Sequence, residues 1–424
     1  MTTASARRVV LDVLDRVLGQ GQPFDDTFAG HPALGSLDQR DRAFARLLLT
    51  TTLRRLGQID ALLARFVANP PRSATIRNLL RLGAAQLLFL DTPAHAAVGE
   101  TVALCAHRHR SVTGFANAVL RRVARDGKAV IASQDPLALN TPDWLRQSWR
   151  EAYGEARAKA IATAHLAEPP LDLTVRQDVA QWARRLEAAR IFDHSVRRAV
   201  GGPVEQLPGY EEGAWWVQDA AAALPARLLG DVAGGKVADL CAAPGGKTAQ
   251  LCAMGANVTA VEVSQKRAER LRANLARLHF DAEVVVGDAI EWRPPEPQDA
   301  VLLDAPCTAT GTIRRHPDIA WHKTPADVAK MAELQGRLLA AAVEMVQPGG
   351  LVVYASCSLQ PEEGPGVTAK ALKSLPVERV PVARPELDAL PVDITAEGDV
   401  RTLPCHLAEQ GGLDGFYIAR LRKR

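Results

Sequence analysis

The chain has 424 residues, 47% hydrophobic and 23% charged, with a formal net charge of +3. These proportions predict a soluble globular protein of two to four domains, with ample apolar content for real cores. They exclude a membrane span, since no stretch reaches the roughly 18 uncharged apolar residues one needs. Met1–Leu18 mixes Arg7, Arg8, Asp12, Asp15 and Arg16 with its apolar residues, unlike a secretory signal, so a cytoplasmic protein is expected. The charge is uneven. Residues 1–140 hold 18 Lys+Arg against 11 Asp+Glu, leaving 33 against 37 in the rest, and all but one of those 18 cations are Arg. Arginine suits bidentate phosphate contact, so the excess permits nucleic-acid binding without proving it.

The elements read in chain order as follows. Residues 1–135 predict an all-helical domain of six or seven helices, because apolar residues recur at three and four spacings in Val9-Val10-Val13-Val17, Phe44-Leu47-Leu48-Leu53 and Phe115-Val119-Leu120-Val123. Breaks fall at Pro23, Pro32, Pro70-Pro71 and Pro93, and Gln134-Asp135-Pro136 reads as an exit linker. Residues 140–220 predict a small α+β module, with a helix opening at Asp143 and an alternating strand over 171–176. Residues 221–424 alternate strand and helix. Strands are expected at Lys236–Cys241, Val258–Val263, Ala282–Val286, Ala300–Leu303 and Leu351–Ala355, with helices at Gln265–Leu278 and Ala326–Val346. That alternation predicts a doubly wound, Rossmann-like α/β sheet.

Four segments carry chemistry. In 237–248, a strand ends at Cys241 and a Pro244-Gly245-Gly246 turn opens a helix. Glycines let a ligand approach the backbone, and the helix N-terminus offers free N–H groups. The G-x-x-x-x-G-K spacing of a phosphate-binding loop is absent, as is the G-x-G-x-x-G of a dehydrogenase. Glu262, 23 residues after Asp239, closes the next strand, where an acid commonly accepts ribose hydroxyls. Asp288, just beyond a strand, suits either an adenine amino group or a helix N-cap. Asp304, Cys307, Arg314 and Arg315 then fall within 12 residues of one loop. In the last segment, Tyr354-Ala355-Ser356-Cys357-Ser358-Leu359-Gln360-Pro361-Glu362-Glu363 again ends a strand in a thiol. Two thiols at strand ends near an acid point to nucleophilic chemistry, although either suits an inert packed role. The six cysteines (Cys105, Cys241, Cys252, Cys307, Cys357, Cys405) show no metal-ligand spacing, so no zinc site and six free thiols are expected.

The motifs D-L-C-A-A-P-G-G-K-T (239–248), L-D-A-P-C-T-A-T-G (303–311), R-R-H-P-D-I (314–319), Y-A-S-C-S (354–358) and D-G-F-Y-I-A (414–419) are long and jointly specific. Through them the sequence resembles the bacterial ribosomal RNA cytosine carbon-5 methyltransferases of the RsmB (Sun/Fmu) type. Residues 1–130 are similar to the NusB-like helical RNA-binding domain, and residues 140–220 resemble the small module that precedes the family's catalytic core. The resemblance implies S-adenosylmethionine as cofactor, held by Cys241, Ala242, Ala243, Pro244, Gly245, Gly246 and Lys247, with Glu262 at the ribose, Asp288 at the adenine and Asp304 in the catalytic loop. It further implies that Cys357 is the nucleophile and that Cys307 assists product release. The residues themselves leave open which thiol attacks, because Pro306-Cys307 also has the look of the DNA cytosine methyltransferase nucleophile. Gly364 departs from the family, whose members often carry Asn after P-E-E.

The implied chemistry is coherent. Thiolate attack on cytosine carbon-6 breaks the conjugation and makes carbon-5 enamine-like. Asp304 is expected to hydrogen-bond ring nitrogen-3, and the target base must be unpaired or flipped. Arg314 and Arg315 are expected to grip flanking RNA phosphates. The partner is expected to be 16S ribosomal RNA, with the protein a monomer that needs neither metal nor membrane. The alternatives are a transfer-RNA cytosine methyltransferase and a non-enzymatic RNA-binding or antitermination factor.

Overall fold

The computed structural model describes residues 5–105, 110–199 and 203–424, which form two compact units. The first comprises 1–151 together with 315–322. Its helices span Ala6–Gln20, Phe24–Ala29, Gln39–Arg54, Leu56–Phe66, Ala74–Phe89, Ala94–Ala103 and Thr113–Ala132. The first shows why they form. The Ser5 side chain accepts the Arg8 N–H, the chain leaves through Gly21 at φ 67°, and Val9, Val10, Val13 and Val17 share one fully buried stripe. Leu48, Leu49, Leu82 and Leu120 lie in the same core.

The expected linker at 134–136 is instead part of this unit. Asp135 caps a short helix, Pro136–Asn140, with Pro136 at its start, so the residues read as a chain exit are a helix-opening signal. Asn140 then turns inward, and its Nδ2 donates to Gln58 Oε1 at 2.9 Å. Polar contacts hold the 315–322 segment in the unit. The Phe24 N–H donates to Asp318 Oδ2 at 3.1 Å, Trp321 Nε1 to the Leu53 carbonyl at 2.9 Å, and His316 Nδ1 lies 2.8 Å from Asp25.

The second unit comprises 152–314 and 323–424. It holds two sheets, so the expected middle module carries its own sheet but does not separate as its own body. The smaller sheet contains β1 (Leu171–Val175), β2 (Ala189–Phe192), β3 (Ser195–Arg198) and β4 (Trp215–Val217), in the antiparallel order β2-β3-β1-β4. A buried pair braces it, with Arg197 Nε and Nη2 donating to the two Asp172 oxygens at 2.7 and 2.8 Å.

The larger sheet begins with five parallel strands. They are β5 (Lys236–Leu240), β6 (Asn257–Glu262), β7 (Glu283–Val286), β8 (Gln298–Asp304) and β9 (Val346–Ser356). The antiparallel strands β10 (Val377–Arg379), β11 (Asp393–Ile394), β12 (Val400–Arg401) and β13 (Tyr417–Lys423) follow. The order is β11-β12-β13-β9-β8-β5-β6-β7, with β10 on β13. Val237, Ala238, Leu240, Val301, Leu302 and Leu303 are buried, as strands covered on both faces require. From β5 the chain winds outward through β6 and β7, then returns to β8 on the other side. The topological switch point therefore lies at the carboxyl ends of β5 and β8, where such folds bind ligands. Among the described residues no helix is long and apolar enough to cross a membrane.

Candidate active site

The first wall is the turn after β5. Cys241 takes φ 61° and Gly245 φ 105°, and a Cβ on Gly245 would lie 2.4 Å from Leu271. Only glycine makes that turn without strain. The helix Gly246–Ala253 follows. Lys247 projects so that Nζ lies 2.7 Å from Asp304 Oδ2 and 5.2 Å from the centre of the Phe416 ring. Burial alone would lower its pKa, but the Asp304 charge and hydrogen bond outweigh that and hold it above the ordinary lysine value. Asp239 is wholly buried and accepts from Thr248 Oγ1 at 2.6 Å, and burial pushes its carboxyl up to about 7.

Glu262 ends β6 and is 1% exposed. Its Oε1 accepts the Ser264 N–H at 3.0 Å and lies 3.5 Å from Arg267, whereas its buried Oε2 has no hydrogen-bond partner. A buried acceptor without a donor is costly unless something supplies one, so the residue fits the hydroxyls of a ribose. Asp288 is exposed, and its Oδ1 accepts the Ile290 N–H at 2.9 Å, capping the next turn.

The second wall comes from β8 and β9, neighbouring parallel strands with Asp304 opposite Ala355. Both strands end here, and the loops beyond them bring Cys307 Sγ to 3.3 Å from Cys357 Sγ. The Cys307 loop is pinned by the Gly311 N–H, which donates to the Cys357 carbonyl at 2.9 Å. The Cys357 thiol sits well above the ordinary thiol value. Its hydrogen bond with Cys307 is the main cause, followed by burial and the Asp304 charge, while Lys247 pulls the other way. Cys241 lies in the same turn region, but burial pushes it up to about 12, so it is a poor nucleophile.

Behind the thiols lies a feature the motifs did not reveal. Glu363 is fully buried and collects donors from both loops. The Thr308 N–H donates to Oε1 at 2.7 Å, Ser358 Oγ to Oε2 at 2.6 Å, the Thr308 hydroxyl to Oε2, and Gln335 Nε2 to Oε1 at 3.2 Å. The only sequence signal was an acid six residues after Cys357, which reads equally well as a solvated turn.

The expected role of Arg314 needs correction. It is 1% exposed and spans two buried carboxylates. Nη2 bonds Asp219, Nε lies 3.3 Å from Asp414, and Nη1 donates to the Gly411 carbonyl at 2.8 Å. A guanidinium so enclosed ties the catalytic loop to the segment before β13 and presents nothing to RNA phosphates. Arg315 is half-buried and belongs to the helical unit. Among the described residues no group of three or more His, Cys, Asp and Glu is placed to hold a metal ion.

Residues 226–422 match the model of the family described as 16S rRNA methyltransferase RsmB/F, and residues 4–125 match that of the NusB family. The chain is 38% identical over 413 residues to the ribosomal RNA small subunit methyltransferase B of Pseudomonas putida, covering 92% of each chain. It is 35% identical over 442 residues to the protein of the same name from Klebsiella pneumoniae, covering 99% of this chain and 98% of that one. The crystal structure of a methyltransferase homolog protein from Pyrococcus horikoshii superposes with a TM-score of 0.55 at 26% identity, over 72% of this chain and 98% of that one. With near-complete coverage at these identities and both family segments in place, the chain belongs to the 16S rRNA methyltransferase RsmB/F family.

Proposed function

We propose that this enzyme methylates carbon-5 of one cytosine in 16S ribosomal RNA through a covalent adduct with Cys357. That it is an S-adenosylmethionine-dependent rRNA methyltransferase follows from its family. The observation that carries the finer reading is the pair of thiols 3.3 Å apart on the loops beyond β8 and β9, with Asp304 at the end of β8.

The residues at the turn fit the cofactor. The backbone of 241–247 offers a glycine cradle and helix N–H groups, and Glu262 Oε2 is a buried acceptor in need of a hydroxyl. Asp288 is the acid on hand for the adenine amino group. When bound, S-adenosylmethionine supplies an electrophilic sulfonium methyl.

The chain's own residues do the rest. Cys357 attacks carbon-6 of the cytosine as a thiolate, forming the sulfur–carbon bond and leaving carbon-5 enamine-like. The Lys247 charge favours that thiolate, while the hydrogen bond with Cys307, 3.3 Å away, holds the thiol form until the pair separates. Negative charge builds on the ring at nitrogen-3, and the Lys247–Asp304 pair is the proton-bearing group beside it. Once carbon-5 carries the methyl group, a general base takes its proton, the freed electron pair re-forms the 5,6 double bond, and Cys357 is expelled as a thiolate with the assistance of Cys307. The target base enters unpaired or flipped. The arginines of the helical unit, Arg315 among them, hold surrounding RNA through its phosphates.

Methyl transfer from labelled cofactor to 16S rRNA tests the assignment. Cys357→Ala abolishes transfer while cofactor affinity persists; retained transfer sinks the nucleophile. Cys307→Ala accumulates a covalent protein–RNA species visible on a denaturing gel, and no such band refutes the release role.

A further inference from the structure

We infer that Glu363 is a positioning residue that sets the distance between the two active-site thiols. The inference rests on the reading that both thiols act in the reaction. The two loops already meet through the Gly311 N–H on the Cys357 carbonyl and the Leu359 N–H on the Thr310 hydroxyl, each at 2.9 Å, but neither contact fixes the residue that follows each thiol. Glu363 joins them. Its two oxygens accept the Thr308 N–H and hydroxyl, on the residue after Cys307, and the Ser358 hydroxyl, on the residue after Cys357.

Gln335 and Tyr354 lock the clasp from behind. Gln335 Nε2 donates both to Glu363 and to the Pro306 carbonyl at 2.8 Å, beside Cys307. The Tyr354 hydroxyl donates to the Glu363 carbonyl at 2.7 Å, fixing the backbone that carries the carboxylate. A carboxylate with no outlet to solvent and several convergent donors is an expensive group to bury. An apolar residue would pack the same volume at lower cost and would gather no donors from either loop. Charge-assisted hydrogen bonds are also the stronger and shorter kind. The device therefore acts on geometry. Each thiol is attached one residue from a group that Glu363 grips, so loss of the carboxylate loosens both sulfurs together.

The test reads thiol proximity directly. Dibromobimane becomes fluorescent only after both of its arms have alkylated nearby thiols, and it needs neither RNA nor S-adenosylmethionine. The wild-type enzyme forms a Cys307–Cys357 bridge, identified by peptide mass. Glu363→Ala is expected to react at single thiols while bridging falls to the level of a Cys307→Ala control. Its kcat drops by about 10²-fold, the usual consequence of reacting groups displaced by an ångström, with cofactor Kd unchanged. Glu363→Gln, which keeps the shape and one acceptor, restores most of the bridging. Unchanged bridging and kcat in folded Glu363→Ala would overturn the assignment. Should that variant fail to fold, Thr308→Val with Ser358→Ala removes the hydroxyl donors and decides the matter by the same readout. If Cys357→Ala retains methylation, the nucleophile assignment falls while the bridging result still stands or fails by itself.

Discussion

At the scale of single residues, side chains of the same type have been given opposite work by burial. Arg314 and Arg315 are adjacent, yet Arg314 is sealed between Asp219 and Asp414. Removing the guanidinium takes the shared counter-charge from both buried carboxylates, although Asp219 keeps the Ala221 and Asp414 N–H donors, and such a loss costs about 3–5 kcal/mol. Arg314→Leu is therefore expected to lower the melting temperature of the methyltransferase unit sharply. A melt indistinguishable from wild type would show that the carboxylates find other partners. Cys357 is raised by its bond to Cys307 and by burial, and the thiolate is the reactive form. Alkylation of Cys357 by iodoacetamide should thus stay slow at neutral pH and climb only above the ordinary thiol range. Cys307→Ala removes the largest cause of the shift, so it moves the alkylation profile to lower pH. A profile that stays in place would contradict the pairing.

At the scale of elements, the site depends on loops that approach one another more closely than side chains permit. A Cβ on Gly311 would lie 2.0 Å from the Gly415 carbonyl oxygen, and the Gly415 N–H donates back to the Gly311 carbonyl at 2.8 Å. This contact joins the Cys307 loop to the segment leading into β13. Gly311→Ala forces backbone to move at the residue whose N–H also holds the Cys357 carbonyl. Turnover is expected to fall by about 10²-fold with cofactor affinity retained, as calorimetry and methyl-transfer assays can separate. Equal loss of both would place the damage at the β5 turn instead. Gly364 illustrates the same constraint. It takes φ −130° and ψ −102°, and a Cβ there would sit 2.9 Å from the Tyr417 ring. With Tyr417 packed this closely, the turn has room for glycine and not for a larger side chain.

At the scale of the whole molecule, the NusB-family segment and the methyltransferase segment fall in different compact units. A ligand stabilises only the unit that binds it, by about 2.7 kcal/mol at a hundred times its Kd. S-adenosylmethionine should therefore raise the melting of the methyltransferase unit and leave that of the helical unit where it is. Glu262→Ala, which removes the orphaned acceptor, should erase most of the shift. A shift that survives would move the ribose to another residue. The one exchange between the units' sequences is 315–322, a continuation of the catalytic loop that is built into the helical unit.

Period and spacing in the sequence were enough to reveal the helical N-terminal region, the alternating core and the motif-bearing strand ends. Burial stripes and turn chemistry are local properties, and a chain writes them in consecutive residues. The two thiols, Glu262 and Asp304 were legible for the same reason, each standing at the end of an apolar run. Their joint meaning came from long motifs shared with a family. What only the tertiary structure decided was partnership across distant sequence. Arg314 reads as a phosphate ligand until Asp219 and Asp414, about a hundred residues away on either side, enclose it. Glu363 reads as a surface acid until Thr308, 55 residues earlier, turns out to face it. Asp135-Pro136 reads as a linker until Asn140 packs on Gln58, 82 residues upstream. A charged side chain carries the same letter whether water or a buried counter-ion solvates it, and that choice is made by the fold.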